Sequence, residues 1–389
     1  MAAISARAVW AVLAAVVAAA GPARGQDPPP AAPDLPAAVT AGPSPAATEL
    51  PTPQKDDPVL RAGQTGLGGP GGATGLGGLG GFTGMGGFGG FGGAGLGGGA
   101  VGGPGYTAIF YPARPVSGQG TDLTLVRQNA GGAVPVWRDG GDTLLVTAGV
   151  RNDLFSTNAV LPDTGRPFPT ALWSVNGGVT YVHQFSGGWT GGLMTNFGSA
   201  SDQPFHSIHE MTVSTAGFIR MPARNDRDEW MFSLMYSPVG LLNFPVPGVA
   251  YVWNPSDQLR VSIGLPFSVA WRPVEDLTLT LAYVPLTNVT ARATYRVAER
   301  AYVYGGFEWL NESYFLADRA DVRDRFFGFE KRLVGGVRWT VWRHALVDLN
   351  SGYAFDRYFA EGRNQTSGLH DRVDIAPGAF VAASLQMRF

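Results

Sequence analysis

The sequence predicts an all-β fold. Its C-terminal portion reads as a transmembrane antiparallel up-and-down β-barrel of roughly 12 strands (range about 10–14), preceded by a disordered Pro/Gly-rich segment. Three observations carry this. Short segments of alternating apolar and polar residues follow one another from about Thr121, with turn signals between them. The N-terminus reads as an export signal. The final stretch from Ala379 alternates up to the aromatic Phe389, with Val381, Ala383, Leu385 and Met387 on one side and Ser384, Gln386 and Arg388 on the other.

Composition narrows the class. The 389 residues carry a formal net charge of -2, 15% charged and 11% aromatic residues, and no cysteine. Charge is too low and aromatic content too high for a wholly disordered chain. The near-neutral balance argues against nucleic acid as a partner. Without cysteine there is no disulfide framework and no thiolate ligand or nucleophile. Lysine is confined to Lys55 and Lys331, with arginine supplying the other positive charges.

Residues 1–25 read as a signal peptide. Arg7 precedes the apolar run Ala8–Ala20, which is too short to span a bilayer as a helix, and Ala23-Arg24-Gly25 places cleavage before Gln26. Residues 26–62 are Pro- and Ala-rich, which favours an extended, solvated tether. Residues 63–105 are a Gly-rich low-complexity segment. They show neither a Gly-X-Y register nor a phosphate-loop Lys-Ser/Thr, and the entropic cost of ordering so much glycine favours disorder. A second reading makes Leu76, Leu79, Phe82, Met85, Phe88 and Phe91 sparse contact points for the barrel mouth or an envelope component.

Residues 120–389 form the predicted barrel. Strands are expected near Thr121–Arg127, Leu144–Val150, Leu172–Phe185, Gly188–Phe197, Met211–Arg220, Trp230–Tyr236 and Val249–Trp253. Leu259 to Trp271 keeps one apolar parity and reads as a single strand. Leu277–Tyr283 and Val289–Val297 follow, separated by Pro285-Leu286-Thr287, then long segments over 300–316 and 325–342, Val347–Phe355, and the closing strand. Tight turns at Pro285–Thr287 and Ala298–Arg300 read as periplasmic. Leu316–Asp324 and Glu361–Ile375 read as long external loops. No later segment offers 18 consecutive apolar residues, so insertion must use strands.

Charges recur on the polar parity at Arg220, Arg260, Arg272, Arg292, Arg296, Glu308, Arg338 and Asp348, where a hydrated lumen can hold them. Two readings stand: a filter favouring anions, or a brace in which arginines pair with Glu308, Asp348 and Asp356. Trp253, Trp271, Tyr283, Tyr295 and Tyr353 sit near strand ends, as interfacial aromatics do.

The runs Gly264-Leu265-Pro266-Phe267, Trp271-Arg272-Pro273, Asp276-Leu277, Tyr295-Arg296, Asp348-Leu349, Gly352-Tyr353 and Asp356-Arg357 resemble an uncharacterised family of bacterial outer-membrane β-barrels, a domain of unknown function. The resemblance implies location and architecture, with a signal peptide and a poorly ordered N-terminal segment. It supplies no active site.

No catalytic, cofactor-binding or metal site is expected. His206 and His209 have opposite strand parity and fit a solvated loop. His183 shares parity with Val179, Tyr181 and Phe185, which suits an interfacial outer wall. The expected partners are outer-membrane lipid and the barrel-assembly machinery, the latter reading Phe389, with possible periplasmic or cell-wall contact through residues 26–105. The rival readings are a soluble or surface-attached β-sandwich that binds a ligand, and an outer-membrane lipolytic enzyme using His183 or His344 as base.

Overall fold

The computed structural model describes residues 104–389, apart from 224–226, 240–243, 285–287, 343–344, 366–367 and 388–389. The predicted signal peptide, tether and Gly-rich segment up to residue 103, together with His344 and Phe389, lie outside the described residues.

The chain runs through β1 (Gly105–Pro115), β2 (Asp122–Asp139), β3 (Asp142–Ser156), β4 (Ala171–Gln184), β5 (Thr190–Ser201), β6 (Met211–Pro222), β7 (Glu229–Tyr236) and β8 (Val246–Ser256). It continues through β9 (Leu259–Gly264), β10 (Phe267–Val274), β11 (Leu277–Val284), β12 (Asn288–Ala298), β13 (Ala301–Tyr314), β14 (Arg325–Trp342), β15 (Ala345–Gly362), β16 (His370–Ile375) and β17 (Gly378–Met387). Each strand pairs antiparallel with its sequence neighbour, except that β16 and β17 both pair with β15, and β1 pairs with both β2 and β17. The sheet therefore closes on itself as a ring of 16 strands, with β16 as an extra strand. β16 continues the line of β17 along β15: Ala354 faces Gly378 and Arg357 faces Ile375, with the ladder interrupted at Ala376-Pro377. Asp356 opposes that break with φ +48°. A single closed ring excludes the two-sheet sandwich. Each of the 16 ring strands has a paired neighbour on both sides, so the ring itself has no open edge among the described residues.

The count of roughly 12 is corrected to 16. Leu259 to Trp271 is two strands. In an antiparallel hairpin paired residues share a face, and Ser262 pairs with Ser268. The outward parity therefore runs unbroken through the turn at Leu265-Pro266, and only Gly264 (φ +135°) and Pro266 mark it. The barrel also begins at Gly105, ahead of residue 120. In β1 the inner residues Ile109 and Tyr111 are buried and apolar while the outer Phe110 is exposed, so no alternation announces the strand.

Successive hairpins turn at opposite ends. One end carries the tight turns 140–141, 257–258, 275–276 and 299–300, together with the start of β1 and the end of β17. The other carries the long connections 157–170, 202–210 and 315–324. Pro285–Thr287, expected on the same side as 298–300, lie outside the described residues, and the end of β11 and the start of β12 that flank them are at the long-loop end. The expected loop Glu361–Ile375 is shorter, because its second half is β16.

The outer wall is apolar. Val213, Phe232, Leu333, Val337, Leu349 and Val381 are exposed on it. Trp137, Trp230, Trp253, Trp271 and Trp339 lie outside near the tight-turn end, with Tyr295 beside them. Tyr283 and Tyr353 lie nearer the long loops. Lys331 and Asp356 pair at 2.8 Å on the same outer wall, above Leu333 and Tyr353. The wall thus changes from apolar to charged towards the long loops, as a bilayer boundary requires.

Candidate functional site: the charged lumen

Strand pairing fixes which charges face inward. Arg292 lies level with Gly306, next to the Thr290–Glu308 pair, and Arg338 pairs directly with Asp348. Arg220, Arg292, Glu308 and Asp348 are buried, while Arg260, Arg272, Arg296 and Arg338 are half-buried. The structure separates these residues into two groups.

The first group is a paired lattice on the arc that runs from β3 through β2, β1, β17, β15, β14 and β13 to β12. Arg292 and Arg332 bind opposite oxygens of Glu308 at 2.9 and 2.6 Å. Arg338 Nε donates to Asp348 at 3.1 Å, and the Tyr304 hydroxyl donates to the other oxygen at 2.7 Å. Arg127 on β2 grips Asp153 through two bonds of 2.8 and 2.9 Å and reaches Glu312 on β13 at 2.9 Å. Arg151 on β3 also meets Glu312, at 2.7 Å. Tyr111 donates to Glu330 at 2.8 Å and accepts from Arg332 at 3.2 Å, and the Arg357 guanidinium stacks over its ring at 4.6 Å. For Arg292, Arg338, Glu308 and Asp348 this is the bracing arrangement. Asp356 takes no part in it, because the irregularity in β15 turns it outward to Lys331.

Sequence reasoning missed Arg127, Arg151, Asp153, Glu312, Glu330, Arg332 and Arg357. Arg127 shares its parity with Leu123 and Leu125, both buried inside the ring. A charged residue on an otherwise apolar parity was the available signal.

The lattice lies beneath an apolar plug. The outer ends of β13 and β14 bend across the mouth. Phe315 N–H donates to the carbonyl of Ala200 at 2.7 Å and Ala317 N–H to Asp202 at 2.8 Å, joining strand ends half a ring apart. Ser313 donates to the carbonyl of Val239 at 2.5 Å. Phe155, Phe168, Phe326 and Phe359 pack beneath with ring centroids 5.2–5.7 Å apart, continuous with Leu161, Leu172 and Tyr314. A ring this wide cannot be filled by short inward side chains, and here the folded-in hairpin supplies the missing volume.

The second group stands at the tight-turn end. Arg220 (β6), Arg260 (β9), Arg272 (β10) and Arg296 (β12) each lie within a few residues of a tight-end turn. Arg260 reaches Glu229 at 3.5 Å, and Arg296 binds Asp276 at 2.7 Å and Glu275 at 3.4 Å. Arg220 lies over the Phe218 ring at 5.8 Å, and its buried Nε meets no acceptor among the described residues. On β10–β12 the inward Ser268, Ala270, Thr278, Thr280 and Thr294 remain partly accessible, in contrast to the buried inward Ile109, Tyr111, Leu123, Leu125 and Phe380 on β1, β2 and β17.

The histidines are placed as expected where they are described. His183 faces outward between Tyr181 and Phe185, its Nδ1 2.5 Å from Asp142. His206 and His209 lie in the 202–210 connection, where Ser207 and Glu210 form a capping box.

No family model and no curated protein matches the sequence. Among solved structures, the β domain of the Bordetella autotransporter Brka shows 14% identity over 74% of this chain and 100% of its own, with a TM-score of 0.28. Pseudomonas aeruginosa OccK7 (OpdD) shows 10% identity over 74% and 99%, with a TM-score of 0.33. A mutant of the Rh. blastica porin shows 11% identity over 74% and 99%, with a TM-score of 0.30. Scores this low carry no functional argument.

Proposed function

We propose that the protein is an outer-membrane β-barrel with a porin-like lumen that favours small anions, entered from the periplasm at the tight-turn end. The observation that carries the reading is the partly accessible polar stripe of β10–β12 meeting Arg220, Arg260, Arg272 and Arg296 at that end. Fixed guanidinium charges on low-dielectric walls raise the local anion concentration. The apolar outer wall with aromatic residues near both ends supports the membrane location. Outer-membrane lipid and the barrel-assembly machinery are the partners this location implies. On this reading β1 starts at the periplasmic end, and periplasmic or cell-wall contact through residues 26–105 is part of the proposal.

A second reading, a structural envelope barrel, is favoured by the packed plug at the opposite mouth and by the braced lattice along the wall. Reversal potentials in a salt gradient separate the two. The Arg220→Gln/Arg260→Gln variant should lose anion preference while retaining conductance. Selectivity unchanged in that variant would sink the filter.

A further inference from the structure

We propose that Asp324, Glu361 and His370 form a binding site for one divalent transition-metal ion of the Zn2+ type, stapling the long-loop mouth. The three come from separate segments: Asp324 ends the β13–β14 connection, Glu361 lies at the outer end of β15, and His370 opens β16. Their ligand atoms all lie within 4.8 Å of one another. A tetrahedral ion bound at about 2.0–2.2 Å holds its ligand atoms roughly 3.3–3.5 Å apart, so closure needs only rotamer-scale movement.

Two further features mark the cluster as a ligand set. The first is the imidazole. His370 Nδ1 lies 2.7 Å from the carbonyl of Glu361, so it carries the proton, and Nε2 presents its lone pair towards Asp324 Oδ2, 3.7 Å away. A backbone carbonyl fixing the tautomer of a ligating histidine is the usual outer-sphere support of a metal site. The second is the Glu361 carboxylate, whose side chain is 1% exposed. Its Oε2 is held by Arg166, while its buried Oε1 accepts no hydrogen bond among the described residues. A buried carboxylate oxygen without a donor is costly, and a cation would repay that cost. The Arg166 guanidinium is already shared with Asp318 at 3.0 Å and Asp371 at 3.5 Å, so carboxylates outnumber cations here.

The donor set selects the ion. One imidazole and two carboxylates suit a borderline cation such as Zn2+, whereas Ca2+ requires about six to eight oxygens. Binding would join the plugging connection to the β15–β16 hairpin. It would hold whether or not the lumen conducts.

The test uses the full mature chain folded in detergent, stripped with a chelator and titrated with Zn2+ against a chromophoric competitor. One equivalent should bind, and a large excess of Ca2+ should not displace it. His370→Ala and Glu361→Gln should each weaken binding more than about 100-fold, since even outer-sphere changes cost about 10–100-fold. His183→Ala, on the outer wall, should leave binding unchanged, and heat-modifiable gel mobility confirms the barrel in every variant. In the unmutated protein, Zn2+ should also protect the 315–324 connection from protease. Sub-stoichiometric binding, retention of affinity in His370→Ala, equal loss in His183→Ala, or displacement by Ca2+ would each overturn the site.

Discussion

Glu308→Gln is the substitution that separates a bracing lattice from a hydrated filter. Glu308 is 1% exposed and neutralises two guanidinium groups, Arg332 at 2.6 Å and Arg292 at 2.9 Å. Glutamine keeps one acceptor oxygen and no charge. Arg332 retains Glu330 at 3.6 Å and the Tyr111 hydroxyl at 3.2 Å, so its loss is partial. Arg292 loses its one ion-pair partner among the described residues and keeps the Tyr304 ring at 4.4 Å. Breaking a buried pair costs about 3–5 kcal/mol because a charge is left buried without its counter-ion. The retained partners of Arg332 place the expected loss near the lower end, about 3 kcal/mol. The double variant Glu308→Gln/Arg292→Met should recover most of it, since an apolar replacement of similar volume removes the stranded charge. Urea unfolding in lipid vesicles, followed by tryptophan fluorescence, measures both. A loss below about 1 kcal/mol in the single variant would mean that water already solvates these guanidiniums, and the bracing argument would fall.

Other predictions follow from neighbouring features. Val337→Arg places a charge on the exposed apolar wall of β14 and should cost about 2–4 kcal/mol if it sits near the bilayer midplane, visible as lost heat-modifiable mobility; normal assembly would contradict the lipid-facing assignment. Replacing residues 316–323 by a short Gly-Ser linker removes the Ala317–Asp202 tie across the mouth and should raise single-channel conductance severalfold. The Asp371 carboxylate accepts from Asp163 N–H at 2.8 Å, Thr164 N–H at 2.9 Å and the Thr164 hydroxyl at 2.9 Å, clamping the 157–170 connection. Burial raises its pKa, but the Thr164 and Asp163 donors and Arg166 outweigh that and hold it below the usual carboxylate range. A depressed carboxylate contributes stability that is present above its unfolded value, about pH 4, and is lost as pH falls through the folded value. Protease sensitivity of the 157–170 connection should therefore stay low at neutral pH and rise only in strong acid. Asp371→Ala should show the sensitive state at pH 7.

The parts legible in the sequence are those where one face of a strand meets lipid and the other meets water. β11 and β12 are of this kind, with Leu279, Leu281 and Tyr283 outside and Thr278 and Thr280 inside. Where the inner face packs on the plug, alternation fails: β1 buries Ile109 and Tyr111, and the outer part of β14 buries Phe326. The inward orientation of Arg292, Glu308, Arg338 and Asp348 followed from parity. Their pairing depends on cross-strand register, and the Arg127–Glu312 contact depends on a hairpin bending across the ring. Neither leaves a periodic trace in the chain.

The most direct test of the central claim is the single-channel conductance and reversal potential of the mature protein in a planar bilayer under a potassium chloride gradient. The account predicts discrete openings with chloride preferred over potassium, and loss of that preference in Arg220→Gln/Arg260→Gln. A cation-selective channel, or a correctly folded barrel with no conductance in both the mature protein and the 316–323 linker variant, would contradict it.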